Sequence, residues 1–239
     1  MTIKLKKEDC SDISIYFPEL NYEENHQRIW GTLNFICCYN EKKGELEFKD
    51  DENSITDLYE IEIDFNKSHL RLPKVYERSE KIINYAKDQN IKLLDLHMFK
   101  DGSCCLGIYP EDACISAFEF LVRRVVPYFF WQSYYRLKGK EPWKAYAHGK
   151  NGYIEKDKEL TETISSCEDT LSWNIYSGMG NVRNCKCPCE SGKKYKKCCM
   201  ANDDVLRSKI SNLKQAQSSV KTWIEKAKNK KGDIKEMTD

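Results

Sequence analysis

The sequence has almost no net charge and no long uninterrupted apolar run, and we expect no secretory leader. Its 39 basic and 38 acidic residues leave a formal net charge of +1, so overall electrostatics predict no strong attraction to nucleic acid or to an anionic membrane. The N-terminal residues, MTIKLKKEDCSD, contain no apolar stretch of the kind that export requires. The most apolar window, residues 115–131, carries three charged residues that exclude a membrane span: Glu119, Arg123 and Arg124.

Internal repeats are also lacking, and 239 residues suffice for one sizeable domain with a small appendage. Hydrophobic residues make up 40% of the chain, which predicts a packed core rather than a disordered polymer. Without an export signal we expect a cytoplasmic protein. In that reducing compartment, 12 cysteines indicate metal ligation, catalysis or packing rather than disulfides.

The apolar periodicity changes along the chain from that of strands to that of helices. Residues from about Asp12 to Ser54 have the composition of strands, most clearly in Arg28–Asn40 and Gly44–Phe48, and Leu58–Phe65 alternates with a period of two. A proline-led strand, Leu72–Glu77, follows them. Helical spacing appears over residues 79–89 and recurs from Phe118 to Gly139, where Pro127 is a possible interruption. We therefore predict an α+β fold, with an antiparallel sheet flanked by helices.

Five segments follow from these patterns. The first, residues 1–155, is the main domain, and residues 156–182, which are polar without a clear pattern, are predicted to be a linker or extension. The others are a cysteine-rich module, a helix with a thin apolar stripe and a disordered charged tail: residues 183–201, 202–228 and 229–239.

Four cysteines of the module follow the pattern C-x-C-x8-C-C: Cys187, Cys189, Cys198 and Cys199. Four thiolates are a soft tetrahedral ligand set that suits Zn²⁺ in a reducing compartment. Ser191-Gly192 supplies a tight turn, and the lysines between the pairs offset the net charge of a tetrathiolate zinc centre. Because four thiolates leave no open coordination position, the predicted zinc is structural.

Residues 183–199 strongly resemble the SEC-C motif, the small zinc module first named from the tail of the protein-translocation ATPase. The chain departs from the motif at Glu190, where glycine is usual, and in the additional Cys185, a possible competing ligand. In other proteins the module is an appended docking element. The resemblance thus concerns the organisation of the chain rather than its activity.

A second cysteine pair lies in LHMFKDGSCCLGIYPEDA, residues 96–113. With His97, an Asp-Gly-Ser turn, Cys105-Leu106 and Tyr109-Pro110, this segment resembles the active-site segment of ubiquitin-conjugating enzymes. The meander, the proline-led strand and the helical second half follow in the order of that family, so the resemblance implies a ubiquitin-conjugating (UBC-like) fold. The chain departs in having Met98-Phe99 after the histidine, where the family has Pro-Asn, and in a shorter gap to the cysteine.

A closer resemblance is to bacterial ubiquitin-conjugating-like proteins. The elements that carry it are Gly139-Lys140-Glu141-Pro142-Trp143 and Ala147-His148-Gly149-Lys150-Asn151-Gly152-Tyr153-Ile154-Glu155. The resemblance implies a ubiquitin-like protein, a ubiquitin-activating-like enzyme and a protein target as partners. A JAB-type peptidase and a place in an antiviral defence operon are typical of the group.

The resemblance implies that Cys105 accepts the ubiquitin-like protein as a thioester and passes it to an amine, with Cys104 a buried neighbour. His97 holds the segment through backbone contacts, and Asp112 takes a proton from the amine. Because the family's oxyanion-stabilising Asn is absent, a backbone N–H, Ser103 or His148 is expected to replace it.

Two other classes of function remain open from the sequence. The missing Asn favours a catalytically inactive adaptor that binds a ubiquitin-like protein or another partner through the same surface. The lysines at 193–197 are compatible with a zinc-dependent nucleic-acid or ribosome-associated factor, but the near-neutral net charge argues against it.

Overall fold

An antiparallel sheet organises the first part of the chain in a computed structural model that describes residues 3–110, 115–172 and 182–229. Its five strands within those residues are β1 to β5: Leu20–Glu23, Arg28–Asn40, Glu45–Glu47, Ile55–His69 and Leu72–Glu77. The main path runs β1-β2-β4-β5, and β3 pairs with the second part of β2. The predicted α+β class with an antiparallel sheet is confirmed.

The sheet buries one face because side chains alternate along its strands. On β4 the residues Tyr59, Ile61, Ile63 and Phe65 are all nearly inaccessible to solvent, whereas the acidic residues between them point away from the core. Tyr59 packs against Phe129, with ring centroids 4.6 Å apart. This layer of aromatic and aliphatic side chains joins the sheet to the helices that follow it in the chain.

The helices of this part of the chain are short except for one. They are α1, α2, α3 and α4: Lys7–Tyr16, Lys81–Asp88, Ala117–Phe120 and Val126–Lys138. A single π-helical turn, Leu121–Val125, joins α3 to α4, so the helical path continues through Pro127 instead of ending there. Gly139, in a left-handed conformation at φ +66°, ends α4, as predicted.

The chain divides into two units, Met1–Ala145 and Tyr146–Asp239. In the second, α5 (Lys150–Thr170) and α6 (Met200–Asn229) pack as an antiparallel pair. Glu168 pairs with Lys214, and Tyr153 lies against Trp223 at the other end of the pair. Helix α6 covers residues 202–228, the segment for which the sequence predicts a helix.

Two predictions differ from the structure. Residues 156–170, expected as a linker, continue α5. The residues at positions 152, 156, 160, 164 and 167 are buried and make one face of that helix. Two of those five positions are occupied by Gly152 and Lys156, which have no apolar side chain. The sequence therefore shows no continuous apolar stripe along this helix. Residues 12–16, expected as strand, lie in α1, where Asp9 accepts the N–H groups of Lys6 and Phe118.

The rest of the predicted linker and tail lies mainly outside the described residues. Among the helices that the structure describes, none has the length and apolar character needed to cross a membrane.

Candidate functional site

Residues 97–105 form a tight hairpin that carries the second cysteine pair. The Cys105 N–H donates to the His97 carbonyl at 2.7 Å, and the Phe99 N–H donates to the Ser103 carbonyl at 2.9 Å. Gly102 occupies the turn at φ +77°, a conformation that glycine adopts without steric cost. The predicted Asp-Gly-Ser turn thus brings His97 and Cys105 to opposite sides of one hairpin.

Strand β5 holds this hairpin at two points. The Cys104 N–H donates to the Val75 carbonyl at 2.7 Å, and the Lys74 ammonium lies 2.6 Å from Asp101 Oδ2. Asp101 also accepts the Ser103 hydroxyl at 2.5 Å. Burial alone raises the pKa of Asp101, but the hydrogen bonds from Lys74 and Ser103 outweigh it and lower that pKa to about 2.

Ser103 therefore has a structural task. Its side chain is only 2% exposed, and its hydroxyl is engaged with Asp101 at the base of the turn. Of the three oxyanion donors left open by the sequence, Ser103 is the one that this environment disfavours.

The Cys105 thiol is half-buried, and its sulfur lies within 4.8 Å of a ring nitrogen of His97. Burial raises the pKa of Cys105, and a hydrogen bond from the Gly107 N–H partly opposes that rise. The neighbouring Cys104 is buried, and burial raises its pKa strongly. Of the two adjacent thiols, Cys105 is the one that a reagent can reach.

Two further residues, Asp112 and His148, were predicted for this site. Asp112 lies outside the described residues. His148 precedes α5 in the second unit, where the Ala147 N–H donates to Glu155 Oε2 at 2.8 Å. That hydrogen bond gives the glutamate of the Ala-His-Gly-x-x-Gly-x-x-Glu element a physical role, since it fixes the turn next to His148.

The four cysteines of the C-terminal module converge as predicted. All four sulfur atoms of Cys187, Cys189, Cys198 and Cys199 lie within 4.8 Å of one another. Three sulfur–sulfur distances are 3.3 Å, 3.4 Å and 3.8 Å. A tetrahedral Zn²⁺ site with Zn–S bonds of about 2.3 Å requires sulfur–sulfur distances of about 3.8 Å. The residues present therefore fit a tetrathiolate metal centre.

The backbone of the module prepares this arrangement. The Cys187 N–H donates to the Lys193 carbonyl at 2.7 Å, which closes the loop between the two cysteine pairs. Within that loop, Glu190 has φ +60° and Gly192 has φ +73°. Glu190 thus occupies a left-handed conformation that glycine adopts easily, which gives a physical reason for the glycine that is usual in the motif.

A buried polar contact joins the module to the first turn of α6. The Tyr195 hydroxyl donates to Asp203 Oδ2 at 2.6 Å, and Arg207 donates to the same hydroxyl at 3.1 Å. Tyr195 and Asp203 are each 1% exposed. Because both groups are satisfied inside the protein, this contact orients the cysteine loop on its helix.

Comparison with known proteins identifies the module and nothing else in the chain. A family model described as the SEC-C motif matches residues 183–201. No curated protein and no solved structure matches the chain significantly. The fold and these sites define a mixed α+β protein with a C-terminal SEC-C motif and a cysteine cluster that can bind a metal ion.

Three residues around Cys105 were not singled out from the sequence. Gly107, which donates to the thiol, follows the cysteine by two positions, so its proximity could have been noticed. Tyr128 and Gln132 lie in the helical segment predicted from Phe118 to Gly139, where no local pattern distinguishes them from their neighbours. Both are buried as core residues, but each also donates a hydrogen bond to the backbone next to the site.

Proposed function

We propose that this chain is a ubiquitin-conjugating-like carrier with Cys105 as its nucleophile. The Cys105 thiolate attacks the thioester carbonyl that an activating enzyme presents at the C-terminus of a ubiquitin-like protein. A new C–S bond forms, the bond to the activating enzyme's sulfur breaks, and that sulfur takes a proton. An amine of the target then attacks the carbonyl, loses a proton and releases the Cys105 thiolate.

One observation carries the proposal: a half-buried cysteine at the edge of a hairpin, next to a histidine and a backbone N–H donor. The Cys105 sulfur lies within 4.8 Å of His97 and accepts from the Gly107 N–H. The order of the elements supports it, since a meander, the proline-led β5, the cysteine hairpin and a helix succeed one another. This is the order that the resemblance to ubiquitin-conjugating enzymes implies.

The Gly107 N–H is the proposed replacement for the missing oxyanion asparagine. The Gly107 N–H hydrogen-bonds the Cys105 sulfur, and a donor beside the thiolate is also close to the carbonyl attached to it. His148 remains a second proposed donor on sequence grounds, and Asp112 remains the proposed acceptor of the amine proton.

The C-terminal module is proposed to hold a structural Zn²⁺ on Cys187, Cys189, Cys198 and Cys199. The metal would fix the loop, while the exposed side chains of the loop provide a docking element for the activating enzyme or the target. A ubiquitin-like protein, its activating enzyme and a protein target are the proposed partners. A JAB-type peptidase and a role in bacterial antiviral defence are the proposed context, in the cytoplasm.

A second candidate function is a catalytically inactive adaptor that binds a ubiquitin-like protein. The raised pKa of Cys105 favours it, because a smaller fraction of the thiol is ionised at neutral pH than in an exposed cysteine. Because the incoming thioester is already activated, a smaller thiolate fraction still permits transfer. We therefore favour the carrier over the adaptor.

The two candidates differ in one gel experiment. The chain is incubated with ATP and with the proposed activating enzyme and ubiquitin-like protein. The carrier hypothesis predicts a thiol-sensitive adduct that Cys105→Ala abolishes and Cys104→Ala retains. A fully charged activating enzyme that yields no adduct with the wild-type protein would support the adaptor.

A further inference from the structure

One face of α4 is directed at the backbone that carries Cys105. Tyr128, Trp131 and Gln132 are three and four positions apart and therefore share a helical face. The Trp131 ring meets the His97 ring edge to face, with centroids 5.3 Å apart. The Gln132 amide donates to the Leu96 carbonyl at 2.6 Å, in a buried contact.

The His97 carbonyl accepts two hydrogen bonds, one from each side of the site. The Tyr128 hydroxyl donates to it at 3.1 Å, and the Cys105 N–H donates to it at 2.7 Å. A carbonyl oxygen has two lone pairs, so both donors are accommodated. The Tyr128 oxygen also hydrogen-bonds the Cys104 thiol. The Tyr128 hydroxyl thus contacts both the Cys104 thiol and the His97 carbonyl to which the Cys105 N–H also donates.

His97 itself needs such support. Its backbone has φ +53° and ψ +39°, a left-handed conformation that disfavours residues with a Cβ atom. Ring contact with Trp131 and the two hydrogen bonds from α4 hold residues 96 and 97, here called the His97 corner, in place. Any relaxation of the corner would be transmitted to Cys105 through the shared carbonyl.

We propose that Tyr128 and Gln132 are positioning residues for Cys105, which act by fixing the His97 corner. They set where the sulfur lies relative to the Gly107 N–H and how far it is withdrawn from solvent. The relevance to thioester transfer rests on the proposed function, but the effect on the thiol itself does not require any partner protein.

The test measures the alkylation rate of each cysteine by iodoacetamide as a function of pH, in the full-length protein, with sites resolved by peptide mass spectrometry. Tyr128→Phe removes one hydroxyl group and leaves the ring in place. If the corner loosens, Cys105 becomes less withdrawn and its pH profile moves to lower pH. A fall of about half a pKa unit would raise its rate at neutral pH about threefold.

Tyr134→Phe is the matched control. Tyr134 lies on the same helix and packs against the core, but within the described residues its hydroxyl makes no hydrogen bond. The control is expected to leave the Cys105 profile unchanged. Buried Cys10 and Cys37 report on general unfolding, because a merely destabilised protein would expose them together with Cys105.

Gln132→Met provides a second variant of similar shape if Tyr128→Phe does not fold. A shifted Cys105 profile in either variant, with Cys10 and Cys37 still protected, supports the proposal. A Cys105 profile identical to that of the wild type in both variants overturns it, as does a rise at all three cysteines together. A shifted profile in a protein that forms no thioester would support positioning and count against the carrier function separately.

Discussion

Lys74 and Asp101 join strand β5 to the tip of the cysteine hairpin through an ion pair of 2.6 Å. The carboxylate also accepts the Ser103 N–H at 3.0 Å. It therefore binds both the backbone of the turn and a side chain of strand β5. Since the hairpin carries Cys105, this pair links the stability of the sheet edge to the geometry of the thiol.

The stability of this contact should fall at acid pH. Because the pKa of Asp101 is lowered to about 2 in the folded protein, its contribution is complete above the unfolded-state pKa of about 4 and is lost as the pH falls toward 2. The Asp101 side chain is 50% exposed, so we expect at most about 1 kcal/mol after solvent screening. Urea unfolding of the wild type and Asp101→Asn measures it, and an equal acid loss in both proteins would contradict the assignment.

Gly107 should be far less tolerant of alanine than Gly102, although both have positive φ angles. A Cβ atom at Gly107 would lie 2.8 Å from Tyr109 Cε2, whereas no atom lies within 4 Å of one at Gly102. Arg124 covers the Tyr109 ring at 3.6 Å and hinders it from moving aside.

We expect a cost of about 1–2 kcal/mol for Gly102→Ala and about 1 kcal/mol more for Gly107→Ala. Urea unfolding measures both costs. Of the two variants, only Gly107→Ala is expected to change the alkylation rate of Cys105, because the clash of its Cβ atom with Tyr109 would displace the N–H that hydrogen-bonds the Cys105 sulfur. Equal costs and equal rates in the two variants would mean that Gly107 acts through its flexibility alone.

The metal content should distinguish the four clustered cysteines from Cys185. The purified chain is expected to bind one Zn²⁺, and Cys187→Ser or Cys199→Ser should lower that content because a tetrathiolate site loses a ligand. Cys185→Ser is the control, since Cys185 is exposed and lies outside the group of four sulfur atoms. Elemental analysis after gel filtration gives the stoichiometry, and a loss of zinc in Cys185→Ser would show a different ligand set.

Replacing Glu190 by glycine should strengthen metal binding. Glu190 has φ +60°, and relief of a left-handed conformation is worth about 1 kcal/mol, which corresponds to roughly a fivefold gain in zinc affinity. Competition with a chromogenic chelator measures that affinity. Glu190→Ala removes the carboxylate but keeps the Cβ atom, so an equal gain in that variant would indicate that charge, not backbone strain, is the cause.

The sequence was most informative where local periodicity and burial agree. The β-branched and aromatic composition of Arg28–Asn40 predicted strand β2 with the bounds that the structure has. In α5 periodicity and burial disagree, because Lys156 lies on the buried face of the helix. Its residue is 1% exposed, and its ammonium group lies 2.9 Å from a carboxylate oxygen of Glu159. A charged residue inside a helix–helix contact cancels the apolar signal on which the prediction depends.

The two candidate sites also differ in how much of their geometry the local sequence predicts. Cysteine spacing predicted the four-sulfur cluster, because short-range spacing largely determines that geometry. The contacts of Tyr128 and Gln132 depend on packing α4 against a turn more than thirty residues earlier in the chain. Such contacts leave no local pattern, so only the fold could place them beside Cys105.

The most direct measurement of the central claim uses Cys105→Ser with the activating enzyme, the ubiquitin-like protein and ATP. A serine at the nucleophile position forms an oxygen ester, which resists thiols, whereas the wild-type thioester is cleaved by them. Intact-mass analysis should therefore show an adduct on the variant that survives dithiothreitol and is lost in mild alkali, with the modification at residue 105. An adduct at a lysine, or none beside a fully charged activating enzyme, would contradict a carrier role for Cys105.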